Sequence, residues 1–350
     1  MKELYLKKCT FPRRRPRSAG NSVLPISRRA ILAAAFITAG LLTGATQIFA
    51  DPAVFCRPTA EPGEILVVRV REEQPLSSCS AEIFFGEGKF SVFRGFTTDD
   101  LKPFWIIPVG LPPDMRLGRL TLGILSKTAG GSGPVYERAE TVSLDIVERE
   151  FYNEDIWLDT GLTRLRTDDA ERKWEEARRL SEILMHWDKE SLFEMGNFSE
   201  PVASYRITSR FGDRRTYRYS DGTTAPAIHT GIDLAAPTGT QVTASGAGRV
   251  VLAEDRMLTG ITVVIEHLPG IYSLYYHLDS LHCSAGDEIR RGDPIGTVGM
   301  TGLATGPHLH WEVRVSGIPV DPFFLVAEPL LDKERIKGNS SDENTKEGGD

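Results

Sequence analysis

Cysteine and histidine are both scarce in this 350-residue chain. The four cysteines are Cys9, Cys56, Cys79 and Cys283. Only Cys283 has a histidine beside it, His282, and a Cys/His pair without two further ligands nearby is a weak metal signal. Cys56 and Cys79 could form a disulfide in an oxidising compartment, which would leave Cys283 as a buried free thiol. A lipid-modified cysteine is disfavoured, because Phe55 stands before Cys56 where such a signal wants a small residue. There are seven histidines, and none falls between residues 51 and 150. With carboxylates only on strand edges and loops, that stretch shows no catalytic constellation and reads as a spacer, a binding module or a lid.

Positive charge is also short beyond the first residues. Residues 1–29 hold nine Lys/Arg and one Glu, a balance of +8, so the rest of the chain carries −15 within a total of −7. No basic stripe with interleaved aromatics follows, which argues against nucleic acid as a partner. After Ser27-Arg-Arg29 come 21 residues without charge, Ala30 to Ala50. A basic region followed by an apolar one reads as an export signal with cleavage after Ala50, and it partly resembles a twin-arginine signal. The competing reading is an uncleaved membrane anchor over residues 30–50, since about 20 apolar residues span a bilayer. On either reading the remaining chain is exported, to the periplasm or cell envelope.

What is present suggests a mainly β protein of two domains and tails. Residues 51–150 contain short runs rich in β-branched and aromatic residues, separated by Gly/Pro turns. These runs are Glu64–Val70, Ala81–Phe85, Lys89–Phe93, Phe104–Val109, Arg119–Leu125 and Thr141–Val147. They predict a small β-sandwich-like domain. Residues 151–200 read as a helical linker. Within it a long helix is expected over 167–193, capped by Asp168 with Glu171, with Ala170, Trp174, Ala177, Leu180, Leu184 and Trp187 as one apolar stripe. Residues 201–326 are rich in short strands punctuated by Gly, which suits an antiparallel sheet, and 331–350 are polar without periodicity, the pattern of a disordered tail.

Function concentrates in His229-Thr-Gly-Ile-Asp233 and His308-Leu-His310, with Tyr275-Tyr-His277 between them. Residues two apart in a strand share a face, so His308 and His310 project together, delivered by the glycine-rich loop Gly299 to Pro307. Gly231 and Pro237 disfavour a helix at His229, so a turn into a strand would bring His229 and Asp233 inward. Three such groups on one ion with an open fourth position make a catalytic zinc site, and the other imidazoles could act as a base or as donors to an oxyanion. His186, on the helix, His267, at a strand end, and His282 read as structural. Asn197 is an ordinary turn residue, unless it reaches the metal as an inhibitory ligand.

The stretch Ile207 to Phe323 is similar to the lysostaphin/LytM-type zinc endopeptidases of bacterial cell walls. The similarity is carried by Thr208-Ser-Arg-Phe-Gly-Asp-Arg214, His229 to Thr240, Gly246 to Val251, Leu274-Tyr-Tyr-His-Leu278, Gly286 to Gly299 and Thr301 to Val313. The resemblance implies a compact antiparallel β-fold with its site on the floor of a cleft, one wall of which the insert Tyr217 to Ala227 would form. It implies one Zn2+ on His229, Asp233 and His310, with His277 and His308 as catalytic histidines that do not bind the metal. It further implies a peptidoglycan peptide as substrate. The alternative is a non-catalytic envelope regulator that activates another wall hydrolase; the intact five-residue set speaks against it. A third possibility is an enzyme whose groove is covered by the 51–150 domain or the helix.

Overall fold

All six strands expected before residue 150 form. In the computed structural model residues 54–331 are described, apart from 73–74, 86–87, 129–136 and 195. The expected leader or anchor over 1–50, Cys9 and the polar tail from 332 lie outside the described residues. Among the described residues no helix is long and apolar enough to cross a membrane.

The strand Gly118–Thr128 shows how local pattern becomes structure. Leu120, Leu122, Ile124 and Ser126 are buried in strict alternation, the period-two signature of a sheet with one covered face. It pairs antiparallel with Leu76–Phe85 and with Glu137–Ile146, inside a five-stranded sheet edged by Gly88–Arg94 and Thr59–Ala60. A second sheet orders Val54–Phe55, Ile65–Arg71 and Phe104–Gly110. Leu66, Val68 and Ile106 from it share one core with Ala81, Ile83 and Leu122. Cys56 and Cys79 are both free thiols, so the disulfide open to them in the sequence is not formed. Burial pushes the Cys79 thiol up to about 12.

The strand Phe104–Gly110 is buried along almost its whole length rather than alternately. Its outer face meets the second half of the molecule: a Cβ on Gly110 would lie 3.0 Å from Ile318 and 3.2 Å from Val315. Accordingly the buried cluster continues without interruption into Leu309, Trp311 and Val313. Arg149 reinforces the junction through an ion pair with Asp321. Leu331, expected in the polar tail, is also part of this core.

The second half is a ten-stranded antiparallel sheet. Its main path runs Arg206–Ser209, Ile232–Ala235, Leu309–Val315, Ile271–Leu281, Gly260–Leu268, Gly248–Arg256 and Glu288–Ile289. Gly231 permits one close approach, since a Cβ there would lie 2.5 Å from the Trp311 carbonyl.

Residues 151–200 correct the helical-linker expectation. Asn153–Trp157 is a strand, paired parallel with Arg214–Arg218, which pairs in turn with Thr224–Ile228. Two helices follow in place of one: α1 (Thr160–Thr167) and α2 (Ala170–Leu184). Asp168 ends α1, and Asp169, at φ 49°, caps α2 through a bond from the Arg172 amide. An Asp tolerates this left-handed backbone, so the longer helix starts one residue beyond the expected cap; it ends at Leu184, short of 193, and α1 was not expected. The expected stripe is only half used. Leu180, Ile183 and Leu184 pack on Leu252, Val264, Tyr272, Leu274 and Tyr276, whereas Trp174 is 43% exposed. The first half of α2 docks through polar groups instead: Glu176 accepts from the Met257 amide, and Lys173 donates to the Arg166 carbonyl. His186 lies just beyond the helix and is exposed.

His267 is completely buried. Its Nδ1 is 2.7 Å from the Ala247 carbonyl and its Nε2 2.7 Å from Ser273 Oγ. Burial lowers its pKa to about 4 from an ordinary 6.5. The unfolded chain therefore binds the extra proton between those values while the folded one does not, so stability is complete above pH 6.5 and falls as pH drops towards 4. About 3 kcal/mol is at stake. Urea titrations at pH 7 and pH 4.5 should show a loss of this order in the parent and a smaller one in His267→Gln; equal losses would remove His267 as the cause.

Candidate metal centre

Neighbouring strands bring three ligating groups together. Asp233 on Ile232–Ala235 is directly opposite His310 on Leu309–Val315. His229 enters from the turn that precedes Ile232. His229 Nε2 lies 3.1 Å from Asp233 Oδ1 and 2.9 Å from His310 Nδ1, and His310 Nδ1 lies 2.7 Å from Asp233 Oδ1. All three residues are buried, and their ligand atoms lie within 4.8 Å of one another.

Their hydrogen bonds settle which nitrogen faces the shared centre. The Arg210 carbonyl, 2.8 Å from His229 Nδ1, can only accept, so Nδ1 carries the proton and Nε2 keeps its lone pair for the shared centre. Glu312 Oε1, 2.9 Å from His310 Nε2, likewise fixes a proton on Nε2 and leaves Nδ1 as the nitrogen that faces the shared centre. Glu312 is itself held by Thr230 and Arg314. Two oriented nitrogens and one carboxylate oxygen suit zinc, whose tetrahedral ligands stand about 3.3 Å apart when each is ~2.0–2.1 Å from the ion. The observed separations, 2.7–3.1 Å, fall short of that by roughly 0.2–0.6 Å, so a small outward shift of the three groups would let the site hold such a metal.

Charge is arranged to match. Burial alone would raise Asp233, but the charge and hydrogen bonds of His229 and His310 hold its carboxyl well below the usual carboxylate range. Its second oxygen, Oδ2, accepts from Arg215 Nη2 at 2.5 Å. Arg215 also pairs with Glu154, which accepts from Ser209 Oγ at 2.7 Å. Burial likewise acts to lower His310, yet Asp233 and Glu312 outweigh it and raise the ring to about 9, so without a metal Nδ1 carries a proton towards Asp233 that a bound metal would displace.

His277 and His308 complete the cluster, with ring centroids 4.8 Å apart. His308 Nδ1 is 2.8 Å from the Gly306 carbonyl and His277 Nδ1 2.7 Å from the Thr301 carbonyl. Each Nδ1 therefore donates, and Nε2 is the remaining nitrogen of each ring. His308 Nε2 lies 3.7 Å from Asp233 Oδ1. Tyr276 stacks on His310 at 5.2 Å, so in a regular strand its neighbour His277 would point away. It does not, because His277 adopts φ 62°, a rarely populated conformation for a non-glycine residue. Burial first, then the nearby His308 and His310, push His277 down to about 3.

The five residues line one cavity of about 210 Å³ together with Ile156, Leu158, Arg166, Arg215, Tyr217, Leu303 and Glu312. The Arg214–Arg218 and Thr224–Ile228 hairpin supplies the wall expected of the 217–227 insert. The 151–167 segment supplies another, which was not anticipated. Asn197 is elsewhere, bonded to the Val326 carbonyl at 3.0 Å. His282 contacts Ser280, and Cys283 shares no metal-type cluster among the described residues.

Glu154 and Glu312 were missed in the sequence reading. Glu312, two residues from His310 on one strand face, was legible in principle; Glu154, far away in sequence, was not. Glu154→Gln removes a negative charge and an acceptor, leaving Arg215 unbalanced beside Asp233. Zinc affinity should fall by roughly 10–100-fold, the usual scale for a ligand's supporting partner. Competition with a chromophoric chelator measures this, and an unchanged affinity would show that the brace is irrelevant to metal binding.

Residues 227–322 match the model of Peptidase family M23. DD-carboxypeptidase/endopeptidase Mpg of Neisseria meningitidis serogroup B is 43% identical over 136 residues, covering 39% of this chain and 30% of that protein. The peptidoglycan DD-endopeptidase ShyA of Vibrio cholerae is 42% identical over 122 residues, covering 35% of this chain and 28% of that protein. The match thus spans under a third of the length of these relatives. The crystal structure of a proposed M23 peptidase from Pseudomonas aeruginosa superposes with TM-score 0.54 at 25% identity, covering 77% of this chain and 95% of that one.

Proposed function

We propose that this chain, whose residues 227–322 form a Peptidase family M23 domain, is a zinc-dependent endopeptidase of the bacterial cell envelope that hydrolyses peptide bonds in peptidoglycan stems or cross-links. The observation that carries this reading is the convergence of three potential ligand atoms, on His229, Asp233 and His310, beside two further imidazoles in one groove. Relatives named as DD-endopeptidases support the substrate class, and the charge-free run at 30–50 supports export. His229, Asp233 and His310 would hold one Zn2+, which supplies Lewis acidity for a scissile carbonyl and lowers the pKa of a water towards about 7.

The chain's own histidines do the rest. Nε2 of His308 or His277 takes the proton of the attacking water, and the Nε2–H so formed then donates to the oxyanion. The Gly306 and Thr301 carbonyls hold these rings in the tautomer that makes both acts possible. Incubating the zinc-loaded protein with purified peptidoglycan and identifying the fragments by mass spectrometry tests the reading. New peptide termini are expected from the parent protein; their absence would overturn it in favour of a regulator.

A further inference from the structure

Arg166 occupies an unusual position in the last turn of α1, outside the M23 match. Its guanidinium carbon lies 3.7 Å from the centroid of the Tyr217 ring, and its Nε donates to Tyr219 Oη at 3.0 Å. The turn that carries it is tied down by Lys173, whose Nζ donates to the Arg166 carbonyl at 2.8 Å. The guanidinium is therefore held in orientation from two sides. It is half-buried and lines the same groove as His229 and His308.

Its charge is unbalanced. Arg215, the other arginine lining the groove, is matched by Asp233 and Glu154. The groove's acids are matched too, Asp233 by Arg215 and Glu312 by Arg314. Among the described residues Arg166 forms no ion pair, and its hydrogen bond to Tyr219 uses only Nε. Its two terminal nitrogens remain as a planar fork, a geometry that matches a carboxylate in bidentate fashion. A partly desolvated cation whose side chain is already ordered binds an anion without the usual cost of immobilising it.

We infer that Arg166 is a specificity residue that binds a free carboxylate of the peptide substrate. The inference rests on the proposed endopeptidase reading for its substrate. It names the class of peptide taken: one with an unmodified carboxylate near the bond to be cut. That carboxylate could be the C-terminal group of a stem or a side-chain group within it.

The test uses a cross-linked stem-peptide dimer in three forms: unmodified, amidated at the C-terminus, and amidated at the side-chain carboxylate. Binding is measured by fluorescence polarisation to the metal-free full-length protein, so that no turnover intervenes. Wild type should bind the unmodified dimer about 10–100-fold tighter than one of the amidated forms, the range of a charge-assisted pair, and the form that loses affinity identifies the carboxylate. Arg166→Gln should bring that ratio near one while Arg166→Lys restores part of it, with thermal melts confirming that both variants fold. In the zinc-loaded protein the same loss should fall on KM rather than kcat. A wild type that does not discriminate, or an Arg166→Gln that discriminates as wild type does, overturns the inference. If wild type prefers the carboxylate form yet cleaves none of them, the endopeptidase reading fails and the Arg166 site stands.

Discussion

His310→Ala should abolish zinc binding and wall hydrolysis together. His310 lies between two partners in the ladder, opposite Asp233 on one side and Tyr276 on the other. Its Nδ1 is within 2.9 Å of both other candidate ligand atoms. Without it only His229 and Asp233 remain, fewer than any catalytic zinc site uses. Glu312, deeply buried, loses its bond to Nε2 as well. Losing Lewis acidity and water activation at once removes several kcal/mol of transition-state stabilisation, which is about 10³-fold or more in rate. Metal content by atomic emission and fragment release from peptidoglycan are the two readouts, with a thermal melt to show that the variant folds. Retained zinc at full stoichiometry would mean that the ligand set is wrong.

His308→Ala should separate those readouts. The ring approaches Asp233 Oδ1 only to 3.7 Å, and its Nδ1 is committed to the Gly306 carbonyl. It supports none of the three donor atoms, so its loss should leave zinc at one ion per chain. The rate should nevertheless fall by about 10²–10⁴-fold, the scale for losing a positioned proton-transfer group. If zinc left with the side chain, the division between ligand and catalytic histidine would collapse. If zinc stayed and the rate held, His277 alone would carry the proton transfer.

The β-strands before residue 150 were legible because their information is local. Alternation and turn residues repeat within ten residues, and every expected strand formed. The helix was legible in kind but not in extent. Its stripe was drawn from apolar identity, whereas Lys173 and Glu176 occupy the inward face of its first half and dock there through hydrogen bonds. No hydrophobic pattern can signal a face that packs through polar groups. The linker proved to be partly strand because Asn153–Trp157 is specified by its partner Arg214–Arg218 and not by its own composition.

From the sequence alone came the residue types, their order and the extended segment that carries His308 and His310, since H-x-H in such a segment already implies a shared face. Only the tertiary structure decided the rest. It paired Asp233 across from His310, turned His277 into the groove through a left-handed backbone, and aimed each ring by choosing its hydrogen-bond partner. It also brought Glu154 and Arg166 to the site from outside the family domain. The physical reason is that spacing along a chain constrains neighbours within a few residues. The register of distant strands, and every carbonyl or carboxylate that orients a ring, is set by how the whole sheet packs.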